Sequence, residues 1–384
     1  MQNFEFHNPV KVVFGKGSIA ELAELVPRGV PVLMTYGGGS IKRNGVYDEV
    51  KAALRGRAPR EFGGIEPNPR YETLMRAVAL ARKERVKFLL AVGGGSVLDG
   101  TKFIAAAVPF KGRDPWDILA ADAAVAAAVP LGCVLTLPAT GSEMNGGAVI
   151  SRESSREKLA FTSPLVYPRF SILDPATTFS LPKRQVTNGI VDAFVHVMEQ
   201  YATYDVDAPL QDRQAEALLV TLMEEGPRTL KHPRDYEARA NLVWCATQAL
   251  NDLIGCGVPQ DWATHLIGHE LTALYGIDHA QSLAVVLPAL LRHQRRRKRT
   301  KLLRYARRVM RLTGPAGDAL ILKAIAGTER FFRAVGMRTR LSEYGIPAEA
   351  AEVVAARLDR RGVKLGEHED LGPKEVAEIL RMCV

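Results

Sequence analysis

The sequence predicts two domains, an α/β domain built on a parallel, Rossmann-like sheet and an all-helical domain after it. The chain has 384 residues, which is more than one compact hydrophobic core usually serves. Its N-terminal half alternates short apolar runs with helical patterns, whereas apolar spacings near 3.6 residues dominate after Leu181-Pro182. We therefore expect the α/β domain to span residues 1–181 and the helical domain to span residues 182–384.

Short apolar runs predict the strands of the first domain. Three of these runs end at glycines, which commonly stop a strand. Apolar strands that are separated by helical patterns are typical of a parallel sheet covered on both faces. The predicted strands are Val10–Phe14, Pro31–Tyr36, Lys87–Val92 and Gly132–Leu137.

The second half carries helix breaks instead of strand signals. Glycine and proline pairs interrupt the helical pattern, for example at Gly226-Pro227, Gly314-Pro315 and Gly372-Pro373. Because no strand pattern lies between these breaks, we expect a bundle of helices.

The composition is that of a soluble globular protein, with 47% hydrophobic and 24% charged residues. No apolar stretch is long enough to span a membrane, and the N-terminus lacks the basic and then apolar layout of a signal peptide. Four scattered cysteines without a Cys-x-x-Cys pair favour a reducing compartment and argue against a structural zinc site. We expect a cytoplasmic protein with no membrane partner.

The formal net charge is +9, and much of it lies in the run Arg292–Arg299 and its continuation to Arg308. Such a charge can attract nucleic acid. Apolar residues interleave with this run at helical spacing, and the aromatic residues typical of a single-strand binder are missing. We therefore interpret the run as the solvated face of an amphipathic helix and expect no nucleic-acid partner.

Two glycine-rich loops follow predicted strands and are candidates for phosphate binding. Gly93–Ser96 stands between a strand and a helix, where glycines and a helix N-terminus favour a phosphate group, although a tight packing turn is the alternative. Gly37–Ser40 ends the second strand without the acidic residue that usually binds the ribose of NAD. Because Lys42 and Arg43 follow it, this loop favours NADP(H) over NAD(H).

Three segments of the second half contain metal-ligating side chains. Asp192 and His196 are spaced i and i+4, so they share one face of a helix. His265 and His269 repeat that spacing, and His279 follows a glycine-bearing bend. One carboxylate with up to three imidazoles suits Fe(II), Zn(II), Co(II) or Ni(II). The His-Glu-x-x-His order of zinc proteases is absent, and an oxygenase site would leave the glycine loops unexplained.

These motifs together resemble one family from end to end. The chain is similar to the iron-containing (group III) alcohol dehydrogenases and, within them, to the butanol dehydrogenase-like, NADPH-dependent aldehyde reductases. The most specific motif is the long run from Asp261 to Gln281. The segments that carry the resemblance are Phe4–Pro9, Val13–Gly17, Thr35–Ser40, Gly93–Lys102, Thr136–Asn145, Asp192–His196 and Asp261–Gln281.

The resemblance implies roles for individual residues. The metal ligands would be Asp192, His196, His265 and His279. Gly94, Gly95 and Ser96 would hold the cofactor pyrophosphate, and the loop of Gly37, Gly38, Gly39 and Ser40 would receive the 2′-phosphate region. Near the nicotinamide, the catalytic residues would be His269, Lys158 and Asp99. His269 would relay a proton, and Asp99 would also contact the cofactor. The remaining residues that would line the cofactor site are Thr136, Thr140 and Ser142.

The resemblance implies an NADP(H)-dependent alcohol dehydrogenase that interconverts small, butanal-like aldehydes and primary alcohols with one divalent ion, Fe(II) or Zn(II). It also implies a homodimer. Two relatives of the same superfamily are alternatives: an NAD-dependent polyol dehydrogenase of the glycerol type, and a dehydroquinate synthase-like metal lyase. The missing acid after the second strand argues against the first alternative, and the mostly apolar residues around the metal motif argue against the second.

Overall fold

The computed structural model describes residues 1–384. Eight strands occur, all of them before residue 174. They are β1 (Lys11–Phe14), β2 (Val32–Tyr36), β3 (Arg60–Phe62), β4 (Phe88–Gly94), β5 (Leu131–Leu137), β6 (Gly147–Arg152), β7 (Glu157–Thr162) and β8 (Phe170–Leu173).

Fifteen α-helices complete the chain, and several short 3₁₀ turns lie between them. The first six are α1 (Leu22–Leu25), α2 (Ser40–Arg43), α3 (Val46–Ala53), α4 (Tyr71–Lys83), α5 (Gly95–Ala107) and α6 (Asp117–Ala120). The others are α7 (Lys183–Tyr201), α8 (Pro209–Lys231), α9 (Tyr236–Ala249), α10 (Ala263–Tyr275), α11 (His279–His293), α12 (Arg299–Arg308), α13 (Asp318–Ala334), α14 (Ala350–Arg360) and α15 (Pro373–Arg381).

Six of the strands form one parallel sheet in the order β1-β8-β5-β4-β2-β3. Strands β6 and β7 form a separate antiparallel hairpin. The predicted fold class, a parallel α/β sheet followed by a helical part, is confirmed. The four predicted strands correspond to β1, β2, β4 and β5, whereas β3, β8 and the hairpin were not predicted.

Alternate residues of the central strands pack into two different hydrophobic clusters. Leu89 and Ala91 of β4 belong to one cluster, whereas Leu90 and Val92 belong to the other. All four side chains are fully buried. This is the burial of a parallel sheet that is covered on both faces, and it explains why these strands are apolar along their whole length.

The chain divides into two compact units. The sheet unit comprises His7–Pro182 and Pro233–Thr247, and the helical unit comprises Met1–Phe6, Lys183–His232 and Gln248–Val384. The predicted boundary after residue 181 lies one residue from the break between Pro182 and Lys183, whereas Met1–Phe6 and Pro233–Thr247 belong to the other unit. In the sheet unit, Trp244 of α9 packs against Phe14 with ring centroids 6.1 Å apart. In the helical unit, Gln2 N donates to Gly257 O at 2.9 Å.

The basic run from residue 292 to residue 308 does not form a simple solvated face. Lys298 and Lys301 are buried, and Lys298 Nζ lies 2.7 Å from Asp261 and 2.6 Å from Glu367. Lys301 is paired with Asp212. The interpretation as a solvated face is therefore wrong at these positions, because the helix face turns two of its cations inward to buried carboxylates. Further ion pairs are Arg292–Glu329, Arg297–Asp370, Arg299–Asp318, Arg304–Asp205 and Arg308–Glu216.

None of the helices combines the length and the apolar character that crossing a membrane requires.

Candidate metal and cofactor sites

Helix α7 presents two of the predicted metal ligands. Asp192 and His196 lie one helical turn apart and are both buried. The spacing of one turn places their side chains on the same face, as the sequence predicts. Glu199, one turn further along this face, is also buried.

Helices α10 and α11 supply the other imidazoles. His265 lies in the first turn of α10, and His279 is the first residue of α11. A capping box fixes the start of α11, because Asp278 N donates to Gln281 Oε1 at 3.0 Å and the Asp278 side chain accepts from the first turn. Arg184 of α7 donates to both carboxylate oxygens of Asp278, at 2.8 and 2.9 Å. These bonds anchor the start of α11 to α7 in the helical unit.

Oδ1 of Asp192 lies between the three imidazoles. Nε2 of His196 and Nε2 of His265 are each 3.8 Å from it, and Nε2 of His279 is 3.6 Å from it. Ligand atoms of Asp192, His265 and His279 all lie within 4.8 Å of one another. Ligands that are about 2.1 Å from a tetrahedral ion lie about 3.4 Å apart. The spacing therefore fits one divalent ion after small side-chain movements.

The two ring nitrogens of His265 have different surroundings. Nδ1 is hydrogen-bonded to Oε2 of Glu199, whereas Nε2 is buried without a hydrogen-bond partner. Burial lowers the pKa of His265, but the carboxylates of Glu199 and Asp192 outweigh it and raise the pKa to about 9. A buried polar atom without a partner is costly, and a metal ion among the neighbouring donor atoms would satisfy it. The residues present therefore fit a divalent metal.

His269 lies beside this cluster on α10. Its ring centroid is 5.3 Å from that of His279 and 6.3 Å from that of His265. The side chain is buried. Its predicted role as a proton relay rather than a ligand stays a prediction.

In the sheet unit, the predicted phosphate loop joins β4 to α5, and its glycines are packed closely. A Cβ atom at Gly94 would lie 2.8 Å from Leu137, and one at Gly95 would lie 2.4 Å from Oγ1 of Thr140. Close packing thus accounts for these glycines by itself. The N-terminus of α5 has no side-chain cap and no acidic residue in its first turn, so its N–H groups remain suitable for an anion.

Asp99 joins three parts of the sheet unit. Ser142 Oγ donates to its Oδ1 at 2.6 Å, and the backbone N–H of Val149 donates to its Oδ2 at 3.0 Å. Burial raises the pKa of Asp99, and Lys102 together with these hydrogen bonds opposes that rise. Both carboxylate oxygens of Asp99 therefore hold neighbouring segments against α5. Thr136, another residue predicted to line the cofactor site, lies buried on β5.

A residue that the sequence did not single out connects Lys158 with the phosphate loop. Lys158 Nζ donates to Asn68 Oδ1 at 2.9 Å, and the backbone N–H of Asn68 donates to Ser96 Oγ at 3.3 Å. Asn68 has a φ of 54°, a left-handed conformation that asparagine tolerates better than most residues. The Asn-Pro pair at residues 68–69 marks this turn in the sequence.

The second glycine loop leads into the short helix α2. Gly39 has a φ of 86°, and a Cβ atom at Gly38 would meet nothing within 4 Å. Lys42 lies over the rings of Tyr36 and Tyr47, 5.0 Å from each centroid. On β3, Glu61 accepts from Tyr47 at 2.8 Å and from Lys51 at 3.1 Å. This carboxylate is therefore already engaged by the protein.

Known proteins share both the sequence and the fold. Residues 9–175 match the family described as iron-containing alcohol dehydrogenase, and residues 186–384 match its C-terminal family. The NADPH-dependent aldehyde reductase YqhD of Escherichia coli is 57% identical over 97% of each chain. NADH-dependent butanol dehydrogenase B of Clostridium acetobutylicum is 38% identical over 100% of this chain and 99% of that one.

Two solved structures agree with the fold over essentially the whole chain. A crystal structure of Escherichia coli YqhD superposes with a TM-score of 0.98 at 55% identity and covers 100% of this chain and 99% of that one. The NADH-dependent butanol dehydrogenase A of Thermotoga maritima superposes with a TM-score of 0.95 at 40% identity, with the same coverage. The resemblance found in the sequence is thereby confirmed, and the chain belongs to the iron-containing alcohol dehydrogenase family.

Proposed function

We propose that the protein is an NADP(H)-dependent, metal-dependent aldehyde reductase that interconverts small aldehydes and primary alcohols. The observation that carries the proposal is the buried Nε2 of His265, which has no hydrogen-bond partner and lies 3.8 Å from Oδ1 of Asp192. The relative that is 57% identical is described as an NADPH-dependent aldehyde reductase. Relatives described as butanol dehydrogenases support a small, apolar substrate.

The metal ligands in this proposal are Asp192, His196, His265 and His279. A divalent ion there, Fe(II) or Zn(II), would act as a Lewis acid that polarises a carbonyl group. The protein holds Asp192, His196 and His265 in place by burial and holds His279 at the anchored start of α11, which limits the rearrangement that metal binding requires. His269 lies next to two of these imidazoles, and we assign it the transfer of a proton to the product alcohol.

The cofactor in this proposal is held by the two glycine loops of the sheet unit. The uncapped N-terminus of α5, with Gly94, Gly95 and Ser96, would bind the pyrophosphate. Gly38 leaves open space, and the exposed Arg43 supplies positive charge next to that loop for a 2′-phosphate. Hydride transfer is then the chemistry of the cofactor.

Four further residues support the cofactor in this proposal. Lys158 and Asp99 are both hydrogen-bonded to parts of the cofactor region, through Asn68 and Ser142 respectively. We assign Lys158 and Asp99 to the nicotinamide end of the cofactor. Thr136 and Thr140 would line the same site, with Thr140 packed against the phosphate loop.

NADH is the alternative cofactor, because several relatives that are 37–41% identical are described as NADH-dependent. The bonding of Glu61 favours NADP(H), because its carboxylate already accepts from Tyr36, Tyr47 and Lys51. A free acid at this point is the feature that selects NAD.

We further propose that the protein acts as a cytoplasmic homodimer. All four cysteines are free and buried, as suits a reducing compartment. Strand β1 is an edge of the sheet, and Phe14 and Trp244 at this edge are 42% and 41% exposed. An exposed aromatic pair on an edge strand is a surface that a second copy would protect. Light scattering of the purified protein should give twice the monomer mass.

The activity is tested by NADPH oxidation at 340 nm with butanal, measured beside NADH and before and after removal of metal by a chelator. We expect turnover that prefers NADPH, disappears with the chelator and returns with Fe(II) or Zn(II). A metal-loaded sample that oxidises neither cofactor would refute the proposal. Glycerol oxidation with NAD, and turnover of a dehydroquinate synthase substrate, would then distinguish the two alternatives.

A further inference from the structure

We propose that Glu199 is a positioning residue that selects the ring tautomer of His265 and thereby makes Nε2 of that residue available to the metal. The inference rests on the metal site of the proposed function. It assigns to this site a carboxylate that does not itself belong to the ligand set.

The carboxylate of Glu199 is surrounded by donors from the first turn of α10. Its Oε1 accepts from the backbone N–H of Thr264 at 2.6 Å and from that of His265 at 3.3 Å, and its Oε2 is bonded to Nδ1 of His265. Glu199 is 2% exposed. Water therefore does not compete for these donors.

Glu199 replaces the cap that α10 lacks. Trp262 occupies the N-cap position with a φ of 60° and makes no side-chain cap bond. The first N–H groups of a helix need acceptors and lie at its positive end. A carboxylate from α7 meets both needs. The backbone carbonyl of Glu199 also accepts from Asp261 N at 2.9 Å, so two groups of this residue hold the start of α10.

The same carboxylate fixes where the proton of the imidazole lies. An ionised carboxylate only accepts hydrogen bonds, so Nδ1 of His265 must carry the proton. When the ring gives up its other proton to bind a metal, Nδ1 keeps its proton and the lone pair lies at Nε2. That atom is the one that lies 3.8 Å from Oδ1 of Asp192 without a hydrogen-bond partner. Carboxylates that orient ligating histidines in this way commonly change metal affinity by about 10–100-fold.

Glu199→Gln separates this role from simple capping. The amide keeps the size of the side chain, and its oxygen can still accept from the N–H groups of Thr264 and His265. Its NH₂ group then faces Nδ1 of His265 and requires that atom to accept. The proton moves to Nε2, which can no longer bind a metal, although the helix cap remains.

The experiment uses the full-length protein, stripped of metal and then titrated with Zn(II) against a chromophoric competitor. We expect E199Q to bind zinc about 10–100-fold more weakly than the wild type, with an altered Co(II) absorption spectrum and little change in the melting temperature of the metal-free protein. Glu216→Gln is the matched control. Glu216 is a buried carboxylate that accepts from Tyr201 and Arg308 away from the cluster, so its variant should bind zinc as the wild type does.

Zinc affinity of E199Q within about threefold of the wild type, with an unchanged Co(II) spectrum, would overturn the inference and leave the proposed function intact. Failure of the wild type to bind zinc or cobalt would instead refute the metal site itself. A second measurement needs no Glu199 variant: ¹⁵N-histidine NMR of the zinc-loaded wild type, with the His265 signal identified by its loss in His265→Asn. A proton on Nδ1 is expected, and a proton on Nε2 would overturn the inference.

Discussion

Two glycine-to-alanine substitutions separate the glycines that the protein needs for packing from those that leave room for a cofactor. At Gly95, a Cβ atom would lie 2.4 Å from Oγ1 and 2.5 Å from Cγ2 of Thr140. At Gly38, a Cβ atom would meet nothing within 4 Å, and the φ of this residue is not positive. The same methyl group therefore has opposite consequences for folding at the two positions.

For Gly95→Ala, overpacking should cost about 1–3 kcal/mol. Thr140 cannot easily move away, because its side chain is short and its Oγ1 accepts from the backbone N–H of Ser142 at 3.2 Å. Alanine also raises the free energy of unfolding by about 0.4–1 kcal/mol, because it restricts the unfolded chain. The net loss of about 1–2 kcal/mol corresponds, for a chain of this length, to a melting temperature that falls by about 1–3 °C. NADPH binding should weaken as well, because the start of α5 shifts.

For Gly38→Ala, the melting temperature should stay the same or rise slightly, because only the restriction of the unfolded chain applies. If the cofactor approaches this loop closely, the added methyl group occupies space that the 2′-phosphate region needs. We expect the Kd for NADPH to rise about tenfold or more, which corresponds to about 1.4 kcal/mol, while the Kd for NADH changes much less.

Differential scanning fluorimetry and a fluorescence titration with each cofactor measure both quantities on the same samples. An unchanged NADPH affinity in Gly38→Ala would refute the assignment of this loop to the cofactor. A Gly95→Ala protein as stable as the wild type would refute the packing argument, because the contact with Thr140 would then be relieved at no cost.

Three other predictions concern the metal cluster, one buried acid and the thiols. His265→Ala should lose both metal and activity. His269→Ala should keep its metal, measured by plasma mass spectrometry, but turn over more slowly. Loss of metal from His269→Ala would contradict the ligand assignment. Burial raises the pKa of Glu143, so its stabilising contribution is present below the unfolded pKa of about 4.3 and is lost as the pH rises through the raised folded value. Urea unfolding should therefore show the wild type losing stability relative to Glu143→Gln as the pH rises above the unfolded pKa, and a constant difference would count against this. Burial also raises the pKa of Cys133 and of Cys383 to about 12, so peptide mapping after iodoacetamide treatment at pH 8 should find both unmodified unless the protein is first unfolded.

The sequence predicts best those features that depend only on residues close together in the chain. Strand β4 is buried on both faces, so its apolar run is continuous and easily recognised. The pairs on α7 and α10 follow from helical spacing alone. Strand β3 has the sequence Arg60-Glu61-Phe62 and lies at the edge of the sheet. It has no periodicity to detect, because only its pairing with β2 makes it a strand.

The partners of the site residues could not be predicted, because they come from distant parts of the chain. Glu199 meets His265 across 66 positions, and Asn68 meets Lys158 across 90. The spacing of Glu199 from His196 is nevertheless visible, since it continues the face that already carries Asp192. An acid one turn beyond a predicted ligand pair is a signal that can be sought in other sequences, because ligating histidines need an acceptor for their second nitrogen.

The basic run after α11 shows how far a charge pattern alone can mislead. In the sequence, Lys298 and Lys301 look like their exposed neighbours, yet both are almost fully buried. Removing one partner of a buried ion pair leaves the other charged and unpaired, which costs about 3–5 kcal/mol. Asp261, the partner of Lys298, also accepts from the N–H of Ala263 at 3.0 Å at the start of α10. Lys298 is thus bound to an acid just before α10, the helix that carries His265, so this part of the charge run helps to hold the start of that helix.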